Sequence, residues 1–120
     1  MGAVTVTQPT YGTIPQNLGQ VYYIAGCTVT MSSSYATGGD TITPAQIGFG
    51  STIIDMVPNV NNSSFAGPFW LFVLNKVNAA TNIWTIQAFG AATGATGLTE
   101  AAANNAGINS FVFGATFIGI

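Results

Sequence analysis

Ser34-Tyr35-Ala36-Thr37-Gly38-Gly39-Asp40-Thr41-Ile42-Thr43-Pro44-Ala45-Gln46-Ile47-Gly48-Phe49-Gly50-Ser51-Thr52-Ile53-Ile54-Asp55 decides the fold, because it joins a long alternating run, 20–33, to a short apolar run, 51–57. Gly38-Gly39-Asp40 is a turn signal: glycine accepts positive φ without steric penalty, and aspartate bonds its local backbone. One helical turn follows. Thr43 can cap it, Pro44 suits its first position because the missing N–H is unpaired there anyway, and Gly48 can stop it. The stretch therefore reads as a rigid cross-connection between two strands.

Outward from it, 20–33 is the longest strand candidate. Val21, Tyr23, Ala25, Cys27, Val29 and Met31 share one face, and Tyr22, Ile24, Gly26, Thr28, Thr30 and Ser32 share the other. Gly26 in the middle invites a bulge or bend. Downstream, 51–57 reads as a strand closed by Pro58, with Asp55 a rim carboxylate that accepts turn N–H bonds rather than an unpaired buried charge. The run 59–67 is a polar loop, and its Asn61 and Asn62 sequons carry no weight without a secretory signal.

Pro68-Phe69-Trp70-Leu71-Phe72-Val73-Leu74 is apolar on both faces, where a half-exposed antiparallel strand should alternate. One face belongs in the core; the other, with Trp70, Phe72 and Leu74 as the example, is expected against something else. A hairpin loop over 75–82 leads to a returning strand, 83–89. The run 90–97 is low in complexity. For 99–107, one or two helical turns capped by Thr99 and an ordered loop are both open. The last strand, 109–120, is again apolar on both sides: Phe111, Phe113, Ala115 and Phe117 against Val112, Ile118 and Ile120. Its end is expected to be buried in the sheet. At the other end, Ala3 to Thr7 alternates Val with Thr, so 1–10 is an N-terminal arm or edge strand and 11–120 a single β domain, with turn-rich sequence between Pro9 and Gly19. The expected architecture is all-β: an antiparallel β-sandwich or small barrel with one short helical turn near 43–48.

Composition narrows the function. Only 3% of the 120 residues are charged, against about 25% in ordinary globular proteins. With a net charge of -2 the surface must be Thr, Asn, Ser, Gln and Gly, or be covered by other subunits. A single basic residue, Lys76, builds no phosphate-binding patch, so nucleic acid is not the expected partner. The apolar runs are about half the length of a membrane span, and 1–6 is neither a signal peptide nor a myristoylation pattern, since position six is Val6. No membrane partner is expected.

Chemistry is equally sparse. Without histidine, Ser-His-Asp and Cys-His systems cannot be assembled within the chain. The carboxylates Asp40, Asp55 and Glu100 show no glycosidase or EF-hand spacing, and Cys27 alone makes no transition-metal site. No enzyme, metal or cofactor is expected. Cys27 is read as a small buried hydrophobe. What remains to act is apolar area: a strand face burying about 300 Å² in a neighbour gains roughly 7 kcal/mol before association costs.

Tyr35, Thr37-Gly38-Gly39-Asp40, Ile42-Thr43, Ile47-Gly48-Phe49 and Ile53-Asp55-Val57, with the hairpin from Trp70 to Phe89 and the strand Phe111 to Ile120, resemble the small capsid decoration (cement or head-stabilising) proteins of tailed bacteriophages. The resemblance implies a non-enzymatic virion protein on the outer capsid surface, commonly a homotrimer, with the major capsid protein and itself as partners. The chain departs from that family in lacking a basic residue in 111–120. Side chains expected to meet neighbours are Val4 and Val6 on the arm and Tyr22, Trp70, Phe72, Trp84 and Phe113 on strand faces. The alternatives are a self-assembling fibre, tail or extracellular filament subunit, and a carbohydrate-binding or minor enzymatic sandwich with Trp70, Trp84 or Tyr22 on an open groove.

Overall fold

The computed structural model describes residues 2–8, 16–18, 21–59, 70–78, 83–91 and 97–120. Expectations placed on 9–15, on 19–20, on 60–67 of the polar loop with its sequons, on 68–69 of the apolar run, on the tip of the 75–82 connection and on 92–96 lie outside those residues. Among the described residues nine strands and one helical turn follow in order: β1 (Thr5–Thr7), β2 (Gln16–Leu18), β3 (Val21–Thr30), β4 (Asp40–Ile42), α1 (Pro44–Ile47), β5 (Ile53–Asn59), β6 (Leu71–Asn78), β7 (Ile83–Ala91), β8 (Leu98–Glu100) and β9 (Val112–Gly119). They form two antiparallel sheets. One runs β1-β3-β9-β5 with β2 also on β3; the other runs β4-β7-β6 with β8 also on β7. The protein is all-β, a sandwich rather than a closed barrel.

The core lies between the sheets. Phe113, Ala115 and Phe117 of β9 face inward beside Cys27 and Val29 of β3, opposite Phe72 of β6 and Trp84, Ile86 and Ala88 of β7. Phe72 stacks on Phe113 with ring centroids 4.0 Å apart and planes at 8°, and it lies 5.4 Å from Phe111. That contact ties the two layers together.

The 34–55 stretch is the cross-connection its sequence implies. Gly39 N–H bonds the Ala36 carbonyl at 2.9 Å to close the turn. Gly39 has φ +100°, and a Cβ there would lie 2.6 Å from the Ile86 carbonyl oxygen, so the β7 backbone passes where any side chain would stand. In α1 the Thr43 hydroxyl accepts from Gln46 N–H while the Gln46 side chain accepts from Thr43 N–H at 2.8 Å. This reciprocal capping box satisfies two end donors, and Gly48, left-handed at φ 110°, closes the turn. Asp40 does not serve the turn as expected. It opens β4, fully buried, and accepts from Ser32 N–H at 2.8 Å.

Several elements depart from the sequence reading. The bulge at Gly26, φ 75°, falls between Ile24 and Cys27 in the β3–β9 register. The extra residue reverses the alternation, so the inward set is Ile24 before the bulge and Cys27, Val29 and Met31 after it, instead of one unbroken parity. β5 does not stop at Pro58 but continues to Asn59; it is the outermost strand of its sheet, where a missing N–H costs no ladder bond. Gln16–Leu18, within the turn-rich stretch, pairs with β3, and β6 continues to Asn78 through half of the expected hairpin loop. Residues 98–100 are strand and 101–110 a series of turns, so of the two readings of 99–107 the ordered loop holds. Residues 5–7 pair with β3 of the same chain, Thr5 opposite Thr30 and Thr7 opposite Thr28. Ile120 is tied through its backbone to Ser51 and Thr52, yet its side chain is exposed rather than buried.

Candidate interaction surface

Tyr35 fixes how the second sheet is completed. β4 covers residues 84–86 of β7 and β8 covers 89–91 on the same edge, which leaves the backbone around Ala88 between them. The Tyr35 hydroxyl accepts from Ala88 N–H at 3.0 Å and donates to Glu100 Oε1 at 2.9 Å. That carboxylate oxygen also accepts from Gly38 N–H at 2.6 Å, and Ala101 N–H bonds the Ala88 carbonyl at 2.8 Å. Burial pushes the Tyr35 phenol well above its ordinary range; the Ala88 N–H, the next largest effect, opposes this, and the Glu100 carboxylate and then Asp40 add to the rise. Tyr35→Phe is expected to cost about 1–3 kcal/mol in urea unfolding, because the buried Ala88 N–H loses its acceptor. A loss under a few tenths of a kcal/mol contradicts this role.

The outer side of this sheet exposes apolar side chains, although Thr85 on that side of β7 is buried. Leu71 of β6 stands opposite Phe89 of β7, Val73 opposite Gln87, and Leu98 of β8 opposite Ala91. Leu71 is 40% exposed, Val73 38%, Ile83 43% and Leu98 54%. Glu100 is the acid near this face, and its Oε1 is turned onto Tyr35 and Gly38. Lys76, the chain's one basic residue, lies with its Nζ 4.7 Å from the Trp84 ring centroid. The outer face of the other sheet mixes threonine with apolar groups: Tyr23, Ile118 and Asp55 form one row, Val57 stands opposite Thr116, and Val112 opposite Thr30. Ile54, Val57 and Val112 are each close to half exposed. Either face offers apolar area with almost no fixed charge.

The side chains expected to meet neighbours divide sharply. Val4, Phe72, Trp84 and Phe113 are buried in the protein's own core, a correction to the sequence reading. Val6, Tyr22 and Trp70 are partly buried and packed against that core. On β6 the reason is parity. Phe72 and Leu74 pair with Ala88 and Ile86, the purely apolar side of β7, so they turn inward and leave Leu71 and Val73 outside. The missed outward set was accessible in principle, because Gln87 and Thr85 already mark the other side of β7 as the less apolar one.

Reactive groups are each locally engaged. Asp55 is exposed on the outermost strand β5, as a rim carboxylate should be, but it accepts at 2.8 Å from Met56 N–H, its neighbour in the strand, rather than from a turn. The Cys27 thiol is buried, points to the Ile24 carbonyl at 3.7 Å, and is raised above its usual pKa by burial. Among the described residues no three of His, Cys, Asp and Glu gather. A depression of about 270 Å³ is lined by Trp70, Gly90, Thr99, Glu100, Ala101, Ala102 and Asn105. Trp70 packs so closely over Gly90 that a Cβ there would lie 2.6 Å from its ring. No described helix is long and apolar enough to cross a membrane. Comparison of the chain with protein-family models, with curated proteins and with solved structures finds no match.

Proposed function

We propose that the chain is a non-enzymatic structural protein of a virion, which decorates and stabilises a phage capsid from its outer surface by packing against copies of itself and against the major capsid protein. The observation that carries this reading is the pair of outer sheet faces, which expose apolar side chains among uncharged polar ones and are nearly free of charge. An apolar patch of this kind on a solitary protein promotes aggregation, whereas in a lattice it is the adhesive surface. The likeness of the Tyr35 to Val57 pattern to capsid decoration proteins supplies the setting, and the structure gives that pattern a physical role: Tyr35 seals the sheet edge, Gly39 lets β7 pass, and Thr43 to Gly48 turns the chain. Subunit contact through such faces needs no metal, cofactor or nucleic acid.

Light scattering of the purified chain, followed by co-sedimentation with capsid shells, tests the proposal. Discrete trimers that bind shells support it. Open polymers that grow with concentration favour a fibre or filament subunit instead, and monomers that bind no shell overturn it.

A further inference from the structure

Gly90 leaves a gap in a row of side chains. β8 pairs Thr99 with Gly90, and β6 pairs Leu71 with Phe89, which sets Trp70 beside Gly90 from the other strand. Neighbours across a sheet share a face, so Trp70 and Thr99 stand on one side with no side chain between them. It is the side that carries Phe72 into the core, but at this end of the sheet Thr99 is exposed. Trp70 leans into the gap. Cε3, Cζ3 and Cη2 of its ring lie against Gly90, while Cζ2 and Nε1 lie beside Gly107. Two glycines thus seat the indole as one wall of the depression of about 270 Å³, whose other walls include Thr99, Ala101, Ala102 and Asn105.

The polar groups left over define what fits. Asn105 Oδ1 accepts from Gly107 N–H at 2.8 Å, so the amide presents its Nδ2 donors elsewhere. Neither Nδ2 nor the Trp70 indole N–H has a hydrogen-bond partner among the described residues. The Thr99 hydroxyl donates to the Gly90 carbonyl at 3.5 Å and keeps its lone pairs. Glu100 also lines the depression, with Oε1 already taken by Tyr35 and Gly38. A cation brings no acceptor for the two N–H donors, and an anion meets Glu100 while Lys76, the one basic residue, is engaged at Trp84. A wholly apolar ligand leaves the donors unpaired. The guest must be neutral, with hydroxyls that both accept and donate and an apolar flank for the indole and the alanine methyls.

We infer that this depression is a binding site for a single neutral pyranose ring, such as the terminal sugar of a glycan. The C–H flank of the sugar packs on the Trp70 indole. Its hydroxyl oxygens accept from Trp70 Nε1 and Asn105 Nδ2, and one hydroxyl donates to Thr99 Oγ1. The volume lies just under the roughly 300–1,000 Å³ of sites for drug-sized ligands, so the site holds one ring rather than a chain. Trp84 is buried and Tyr22 packs against the core, which leaves Trp70 as the aromatic of the site. An affinity of about 1 mM follows from so small a guest. The site stands apart from Leu71, Val73 and Leu98 on the outer side of the sheet, so oligomeric state and sugar binding report on separate claims.

The two indole N–H signals give the test an internal control, because Trp84 is buried. The full chain is titrated by proton–nitrogen NMR with the methyl glycosides of glucose, galactose, mannose and N-acetylglucosamine, and in parallel with glycerol and with arginine amide. At least one glycoside is expected to move the Trp70 signal along a saturating curve with a Kd of about 1 mM, leaving Trp84 in place. Thr99→Val is expected to weaken that binding about tenfold, and its exposed position keeps the fold intact, as a melt of the same sample checks. Four glycosides without a saturating shift at Trp70 overturn the inference. So do an equal response to glycerol, saturation by arginine amide alone, and an affinity unchanged in Thr99→Val.

Discussion

Replacing Leu71 and Val73 together by lysine is expected to abolish self-association while leaving the thermal midpoint within about 3 °C of the parent. Both side chains point away from the core, from the same strand that sends Phe72 and Leu74 inward. In the separated chain they already meet water, so lysine there costs little. In a subunit contact each loses the roughly 1.5–3 kcal/mol gained by burying its apolar body, and each adds an ammonium that must be desolvated without a partner. Together these weaken association by about a thousandfold or more, at 1.4 kcal/mol per decade. Light scattering and a circular dichroism melt on the same samples check both halves. Unchanged assembly moves the contact to the other sheet, with Ile54, Val57 and Val112; a collapsed melt places Leu71 and Val73 inside the fold.

Phe72→Ala is expected to have the largest effect on stability, about 3–5 kcal/mol. Its ring spans the two sheets, stacked on Phe113 and tilted against Phe111, and neither partner can follow it because each belongs to a hydrogen-bonded strand or a closed turn. Against a total of about 5–15 kcal/mol for a domain, that loss removes much of the margin. Urea unfolding checks it: the midpoint falls while the slope stays near that of the parent. A cost under about 1 kcal/mol contradicts the placement of Phe72 at the layer contact. Phe72 was expected on an outward face, so the two predictions invert one another across neighbouring residues of one strand.

That inversion marks where the sequence stops being legible. The helical turn could be read because Thr43, Pro44 and Gly48 each do something locally that few other residues do, although Gln46 as the reciprocal cap went unread. The bend at Gly26 could be read for the same reason. Its consequence could not: a bulge reverses the parity of everything beyond it, and only the partner strand β9 reveals where the extra residue is absorbed. β6 is apolar on both sides, so its inward face is chosen by β7, whose Trp84, Ile86 and Ala88 face has no polar member. β4 and β8 are too short for periodicity to signal, and they exist because β7 offers an edge and Tyr35 fills the interval between them. Four ionic groups in 120 residues raise the expectation of covered surfaces, but composition cannot say which residues would form them.

Sedimentation velocity of the purified parent chain at about 0.05 M and about 1 M NaCl tests the central claim most directly, since the screening length falls from more than 10 Å to about 3 Å between them. Contacts made by uncharged apolar faces predict the same discrete oligomer at both salt concentrations. Dissociation at the higher salt, or a monomer at both, contradicts them.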